Sequence, residues 1–207
     1  MYTFWQQWLD LVIPPTAEGR LVRTLSQADV QNLYTPHRVA GHVCLGSYQE
    51  PRIQALIREN KFQSNRTATR LLSQLLCRYL QSLNTPVCLV PVPLSGQRRR
   101  KRGYDQVLNV LKTVPRYCPQ PSIQICSGVK RRRNTPPQTS LARDARQENV
   151  HDAFVGTRAL KKIPSEYSVL LVDDVLTTGA TMVAAKEAIL AYNPHLRKKL
   201  QTVALAH

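Results

Sequence analysis

Apolar residues recur along this chain in two ways, at helical spacing and in short continuous runs, and the two alternate. Residues 50–61 and 66–83 carry the helical period. In the second of these, Leu71, Leu72, Leu75, Leu76, Tyr79 and Leu80 form one stripe, which predicts a core face. Asn84-Thr85-Pro86 ends that helix, and residues 87–90 follow as a short buried strand leading into Pro91-Val92-Pro93. Residues 94–114 read as helix with a break at Gly103, 122–126 as strand, 127–140 as loop, 141–147 as a short helix and 153–155 as strand. Residues 169–172 predict a buried strand, 182–192 a helix, and 202–206 a strand that closes the sheet. Ahead of these, residues 1–13 predict a short amphipathic helix stopped by Pro14-Pro15. Residues 14–36 have weak periodicity and predict an irregular appendage, and 38–48 alternate loosely, as a strand or hairpin does. Strands alternating with helices predict an α/β fold, a mostly parallel sheet flanked by helices. No internal repeat is visible.

The run Val169-Leu170-Leu171-Val172 ends in two adjacent carboxylates, Asp173 and Asp174, followed by Val175 and Leu176. A turn of hydroxyls and one glycine comes next: Thr177, Thr178, Gly179, Ala180 and Thr181. Strand, acidic pair, hydroxyl-rich turn and helix N-terminus together suit a phosphorylated sugar. Backbone N–H groups at the start of the helix and the threonine hydroxyls can hold a phosphate, helped by the positive end of the helix dipole. Gly179 permits positive φ and close approach of the backbone to the anion. The carboxylates can accept hydrogen bonds from vicinal ribose hydroxyls, directly or through Mg²⁺ with its retained waters. Neither G-x-x-x-x-G-K-[ST] nor G-x-G-x-x-G occurs. The segment resembles the loop with which type I phosphoribosyltransferases bind 5-phosphoribosyl 1-pyrophosphate (PRPP).

The chain's 207 residues suffice for one α/β domain plus a small appendage. No apolar run approaches the ~20 residues of a membrane span, and the N-terminus lacks a charged region and cleavage site, so a cytoplasmic location is the default expectation. Five cysteines (Cys44, Cys77, Cys88, Cys118, Cys126) are odd in number and widely spaced, which argues against a disulfide framework. They show no ligand spacing with the five histidines, so no zinc is expected. The formal charge of +16 is concentrated in Arg98-Arg99-Arg100-Lys101-Arg102, Lys130-Arg131-Arg132-Arg133 and Arg197-Lys198-Lys199, which suggests a polyanionic ligand or partner.

Three further segments join the acidic motif: LVPVPLSGQRRRKRGYDQ (89–106), KRRRNTPPQTSLARDARQENV (130–150) and SYQEPRIQALIRENKF (47–62). A proline-bounded turn at a strand end can expose backbone N–H groups toward a ligand, and the basic loop ends in a short helix with Arg143 and Arg146 near one another. In order and spacing these segments resemble the ComF family. Its pattern matches here at Pro91-Val92-Pro93-Leu94, Arg99, Arg102-Gly103-Tyr104 and Gln106, then at Arg133, Thr135, Gln138, Leu141, Arg146, Asn149, Ala153 and Phe154, then at the motif strand. Two departures stand out. No cysteine precedes Cys44 where family members often carry a zinc module, and Asp105 replaces the usual Asn.

The resemblance implies a type I phosphoribosyltransferase-like domain over 45–207, preceded by an appendage over 1–44. It implies PRPP with Mg²⁺ as ligand, the metal held tentatively through Asp173 and Asp174. By carry-over, residues 173–181 bind PRPP, with Asp173 and Asp174 on the ribose hydroxyls and Thr177 to Thr181 on the 5-phosphate. Pro91, Val92, Pro93, Arg99, Arg102, Arg133 and Arg146 then serve the pyrophosphate. Two functions stay open: a phosphoribosyltransferase of unknown acceptor acting in DNA uptake, or a non-catalytic single-stranded-DNA-binding competence factor with a PRPP-regulatory site. Implied partners include single-stranded DNA and the competence helicase or other DNA-uptake proteins.

Overall fold

The apolar runs resolve into eight strands and the helical periods into six helices among the described residues. The computed structural model describes residues 16–94, 100, 103–119, 122–132 and 153–207. In chain order the helices are α1 (Ala17–Thr24), α2 (Gln27–Leu33), α3 (Pro51–Phe62), α4 (Arg66–Gln81), α5 (Gln106–Thr113) and α6 (Ala180–Tyr192). The strands are β1 (His37–Val39), β2 (His42–Cys44), β3 (Val87–Pro91), β4 (Ile123–Ile125), β5 (Val129–Arg131), β6 (Phe154–Gly156), β7 (Ser168–Val175) and β8 (Leu200–Ala206). One six-stranded sheet runs β1-β2-β8-β7-β3-β4, and β5 and β6 form a separate antiparallel ribbon. Every pairing in the large sheet is parallel except the β1–β2 hairpin at its edge. The α/β class and mostly parallel sheet are those expected, but β8 is internal rather than the strand that closes an edge.

Alternation along each strand builds a layer on either face. Leu170 and Val172 of β7 join the layer under α1 to α5, with the predicted α4 stripe from Leu71 to Leu80 buried against it. Val169 and Leu171 join the opposite layer, under α6 and the β5–β6 ribbon. All five cysteines are buried free thiols, small apolar contributors to these layers.

Residues 16–36 are not irregular. Thr16 caps α1 by accepting from the Gly19 N–H at 2.9 Å. Ser26 and Asp29 form a reciprocal capping box on α2. Thr16 Oγ1 also donates to the buried Glu59 at 2.7 Å, and the Asn65 amide that caps α4 donates to the other oxygen of Glu59 at 2.8 Å. One carboxylate thus ties the starts of α1 and α4 together, while Val22, Val30 and Leu33 enter the common apolar layer. The hairpin turns at Ala40 and Gly41, both at positive φ as a two-residue primed turn requires. Its second strand pairs in register with β8, Val43 with Val203 and Cys44 with Ala204. In the expected 94–114 helix the described helical run is α5, which starts at Gln106. Asp105 accepts from the Leu108 N–H at 3.0 Å, and Gly103 takes φ +75° just before it. Asp105 therefore has a local role as N-cap, one that Asn fills equally well. The expected helices at 1–13 and 141–147 lie outside the described residues.

Candidate functional site

β7 does not stop before the acidic pair. Its ladder with β8 continues through Asp173, opposite Ala204, to Val175, opposite Ala206. Both aspartates are therefore fixed by sheet hydrogen bonding rather than hung on a loop. Asp174 is almost fully buried, and its Oδ2 accepts from Gln106 Nε2 of α5 at 3.0 Å, with Lys61 Nζ of α3 at 3.8 Å. Asp173 Oδ1 accepts from the Asp174 N–H at 2.8 Å. Burial first, and then the negative charge of Asp174, hold the Asp173 carboxyl well above the usual aspartate range. The Asp174 N–H and the Lys61 charge offset only part of this.

Past Val175 the Leu176 N–H bonds the Ala206 carbonyl at 2.9 Å, which ends the strand and seats Leu176 in the core. Thr177 and Thr178 are exposed, and Gly179 is buried at φ +78°. That left-handed turn is the one expected of a phosphate loop, and only glycine adopts it without strain. Gly179 has no side chain to cap α6, so the first turn of the helix opens toward the threonines. Thr178 Oγ1 is only a long 3.4 Å from the Ala180 N–H. Behind the glycine stands the buried His42 of β2, with its Nε2 3.4 Å from where a Cβ on Gly179 would lie. His42 Nδ1 shares a 2.8 Å hydrogen bond with Thr202 Oγ1. Burial, and secondarily Lys186, lowers the His42 pKa and favours its neutral ring.

The two motif halves face a cleft of about 690 Å³ at the C-terminal ends of β3 and β7. Asp173, Asp174, Val175, Leu176, Thr177 and Thr181 line it, while Thr178, Gly179 and Ala180 complete the loop without lining it. Val92 and Pro93 line it too. The expected exposure of N–H groups by this turn does not occur across 91–93, because prolines have none and the Val92 N–H bonds the Val172 carbonyl at 2.8 Å. Arg99, Arg102, Arg133 and Arg146 lie outside the described residues.

Sequence reasoning gave no site role to five cleft residues: Tyr48, Gln49, Lys61, Gln106 and His207. Gln106 carried a signal in the RG-Y-x-Q pattern, and Tyr48, Gln49 and Lys61 in the segment 47–62 set beside the acidic motif. Arg131 of the β5–β6 ribbon also reaches the cleft and stacks over Phe154 at 5.2 Å. At that rim the Arg132 N–H bonds the Ala153 carbonyl at 2.8 Å, so the basic segment leaves and returns beside the cleft. Two carboxylates with threonine hydroxyls are a hard-oxygen set, which fits Mg²⁺ carried in with waters and a phosphorylated ligand. Of the pair, Asp174 is already engaged by Gln106 and Lys61. Among the described residues no three His, Cys, Asp or Glu side chains converge as a metal site, and no helix is long and apolar enough to cross a membrane.

The family model described as "Phosphoribosyl transferase domain" matches residues 67–207. Competence protein F of Haemophilus influenzae is 34% identical over 147 residues, which cover 68% of this chain and 62% of that protein. The DNA utilization protein YhgH of Escherichia coli is 30% identical over 148 residues, with the same shares covered. The chain thus spans about 62% of the length of these curated relatives. The matched stretch contains α4, the prolyl turn, β7, the acidic pair, the loop and β8.

Proposed function

Because the chain belongs to the phosphoribosyl transferase domain family, as a ComF-type member, we propose that its cleft binds PRPP with Mg²⁺. The observation that carries this reading is the acidic pair, fixed within β7, sharing one cleft with Thr177 and Thr181 of the loop that leads into a helix start without a side-chain cap. The 5-phosphate would sit in the loop of Thr177 to Thr181, on backbone N–H groups and hydroxyls at the positive end of α6. Asp173 would accept hydrogen bonds from the ribose hydroxyls, and Asp174, held by Gln106 and Lys61, would fix the adjoining backbone. Lys61 and Arg131 would balance the ligand's remaining negative charge. Bound Mg²⁺ would supply charge stabilisation to the pyrophosphate as it leaves the anomeric carbon. The incoming nucleophile is unnamed by the site: no described group in the cleft marks one acceptor.

Thermal melting with and without PRPP and Mg²⁺ tests this reading, since a ligand of the folded state raises the midpoint. We expect a rise that needs both components. No rise at millimolar ligand removes the cleft as a PRPP site. Pyrophosphate release in the presence of candidate acceptors then separates turnover from binding alone.

A second reading is favoured by the charge of +16 and by the names of the relatives, one a competence protein and one a DNA utilization protein. In it the protein meets single-stranded DNA during uptake, and PRPP regulates that encounter. Oligonucleotide binding at low salt tests it directly.

A further inference from the structure

Away from the cleft, the outer surface of α4 and α5 holds a second depression of about 710 Å³. Arg66 and Arg70 face it from α4, one helical turn apart. Lys112 of α5 and Arg116 of the turn that follows face it from the other wall. These four cations line the depression and, among the described residues, no carboxylate does. Elsewhere Arg52, Arg58 and Lys61 each stand within 4.0 Å of a carboxylate.

Two further observations point to what the groove holds. Tyr117, 40% exposed, stands at its end. The backbone of Tyr117 is fixed, its N–H on the Val114 carbonyl at 3.0 Å and its carbonyl accepting from the Cys77 thiol at 3.3 Å. Beyond the ring a smaller depression of about 170 Å³ continues along α4 to Gln74 and Arg78, sharing Tyr117 with the first. Gln74 is 7% exposed; its Oε1 is buried without a hydrogen-bond partner and its Nε2 lies 3.4 Å from Gln27 Oε1, so it closes the floor rather than offering an acceptor to the surface. From Arg66 to Arg78 the helix runs about 18 Å.

We propose that this track binds single-stranded nucleic acid. The four cations meet backbone phosphates and Tyr117 stacks on a base. A duplex keeps its base faces inside the stack and offers Tyr117 nothing, whereas a single strand offers both backbone charge and free base faces. A polyglutamate-type acidic peptide matches the cations but supplies no aromatic face for Tyr117. The proposal rests on the second reading above, that the protein meets single-stranded DNA, and assigns the surface that does so. No residue lining this groove also lines the cleft.

The test uses the full chain, a labelled mixed-sequence DNA 15-mer and fluorescence anisotropy across a salt series. With four phosphates neutralised, log K falls against log salt with a slope of about −3, from about −0.7 per phosphate on single strands. Joint replacement Arg66→Ala, Arg70→Ala, Lys112→Ala and Arg116→Ala flattens the slope by nearly that amount and weakens binding more than tenfold at low salt. Tyr117→Ala weakens it about fivefold or more, and Tyr117→Phe, which keeps the ring, restores it. All variants should melt as the parent does and keep the shift given by PRPP with Mg²⁺. No binding by the parent at low salt overturns the second reading and this proposal together. Parent binding that survives the fourfold variant overturns the proposal alone, as does equal competition by duplex DNA or by polyglutamate.

Discussion

The cleft at the strand ends and the groove on α4 and α5 adjoin the same short helix, yet they hold charge in opposite ways. Gln106 of α5 serves the cleft by donating to Asp174, while Asn109 and Lys112 further along face the groove. In the cleft both signs are present, and the carboxylates are built into a parallel ladder, with both oxygens of Asp174 held by hydrogen bonds. In the groove the described charges are all positive and stand on solvent-facing helical positions. The first arrangement suits one small ligand in one orientation, because moving a buried carboxylate disturbs the sheet itself. The second suits a long, repetitive polyanion, to which each cation adds a small and nearly independent increment.

The sharpest way to break this contrast is to neutralise the cleft. Asp173→Asn together with Asp174→Asn should abolish the thermal shift given by PRPP and Mg²⁺ without unfolding the chain. At a hundredfold excess over Kd the parent's shift corresponds to about 2.7 kcal/mol, or about 8 °C for a domain of this size. An undiminished shift in the double variant removes the acidic pair from the site.

A smaller effect is expected at Gly179. Its φ of +78° costs alanine about 1–2 kcal/mol, while a Cβ there would only reach ordinary contact with His42. Gly179→Ala should therefore lower the melting midpoint by about 5 °C through backbone strain and weaken PRPP binding as well. An unchanged midpoint would mean the turn tolerates a side chain and the loop is not strained.

The pH dependence of stability sharpens the account of Asp173. Its carboxyl titrates well above the usual range when folded, so the folded state favours the protonated form. Stability should fall as pH rises from the ordinary aspartate pKa of about 3.9 through the raised value, and the full penalty persists above it. Asp173→Asn mimics the protonated acid and should remove that decline. Parallel urea-denaturation profiles for parent and variant across pH 4–8 would contradict it.

The smallest effect belongs to the groove. Lys112→Ala alone should change stability by less than about 0.5 kcal/mol and flatten the oligonucleotide salt slope by about 0.7. A larger loss of stability would mean that Lys112 holds the fold rather than a phosphate.

What the sequence disclosed about these two regions follows from how local each signal is. Val169 to Thr181 was legible because strand, carboxylates, hydroxyls and glycine are consecutive. Gly179 took the positive φ its neighbours implied. The α4 stripe was legible because four turns repeat it. α1 and α2 span barely two turns each, too few for a period, although the Ser26–Asp29 capping box was there to be read. Gln106 and Lys61 meet Asp174 only through tertiary folding, across 68 residues in the case of Gln106, and no spacing announces that. The prolyl turn misled for a different reason: Val92 continues the ladder to β7, a pairing visible only once β3 and β7 are known to be neighbours. The groove's cations were scattered singly along two helices, and the denser basic runs drew attention away from them.

The internal position of β8 has a consequence for how the protein is made. β8 is synthesised after the other seven strands, yet it separates β2 from β7 in the finished sheet. Until it emerges from the ribosome, the growing chain holds a hairpin on one side and β7, β3 and β4 on the other, with no strand to join them. The edges of β2 and β7 that await β8 stay unpaired through that interval, open to pairing with another chain. His42 and Thr202, which share a hydrogen bond behind the loop, are 160 residues apart. The back wall of the loop is therefore among the last features to assemble, and loss of β8 would erase the cleft and strip Val203, Leu205 and Ala206 from the layer beneath α4.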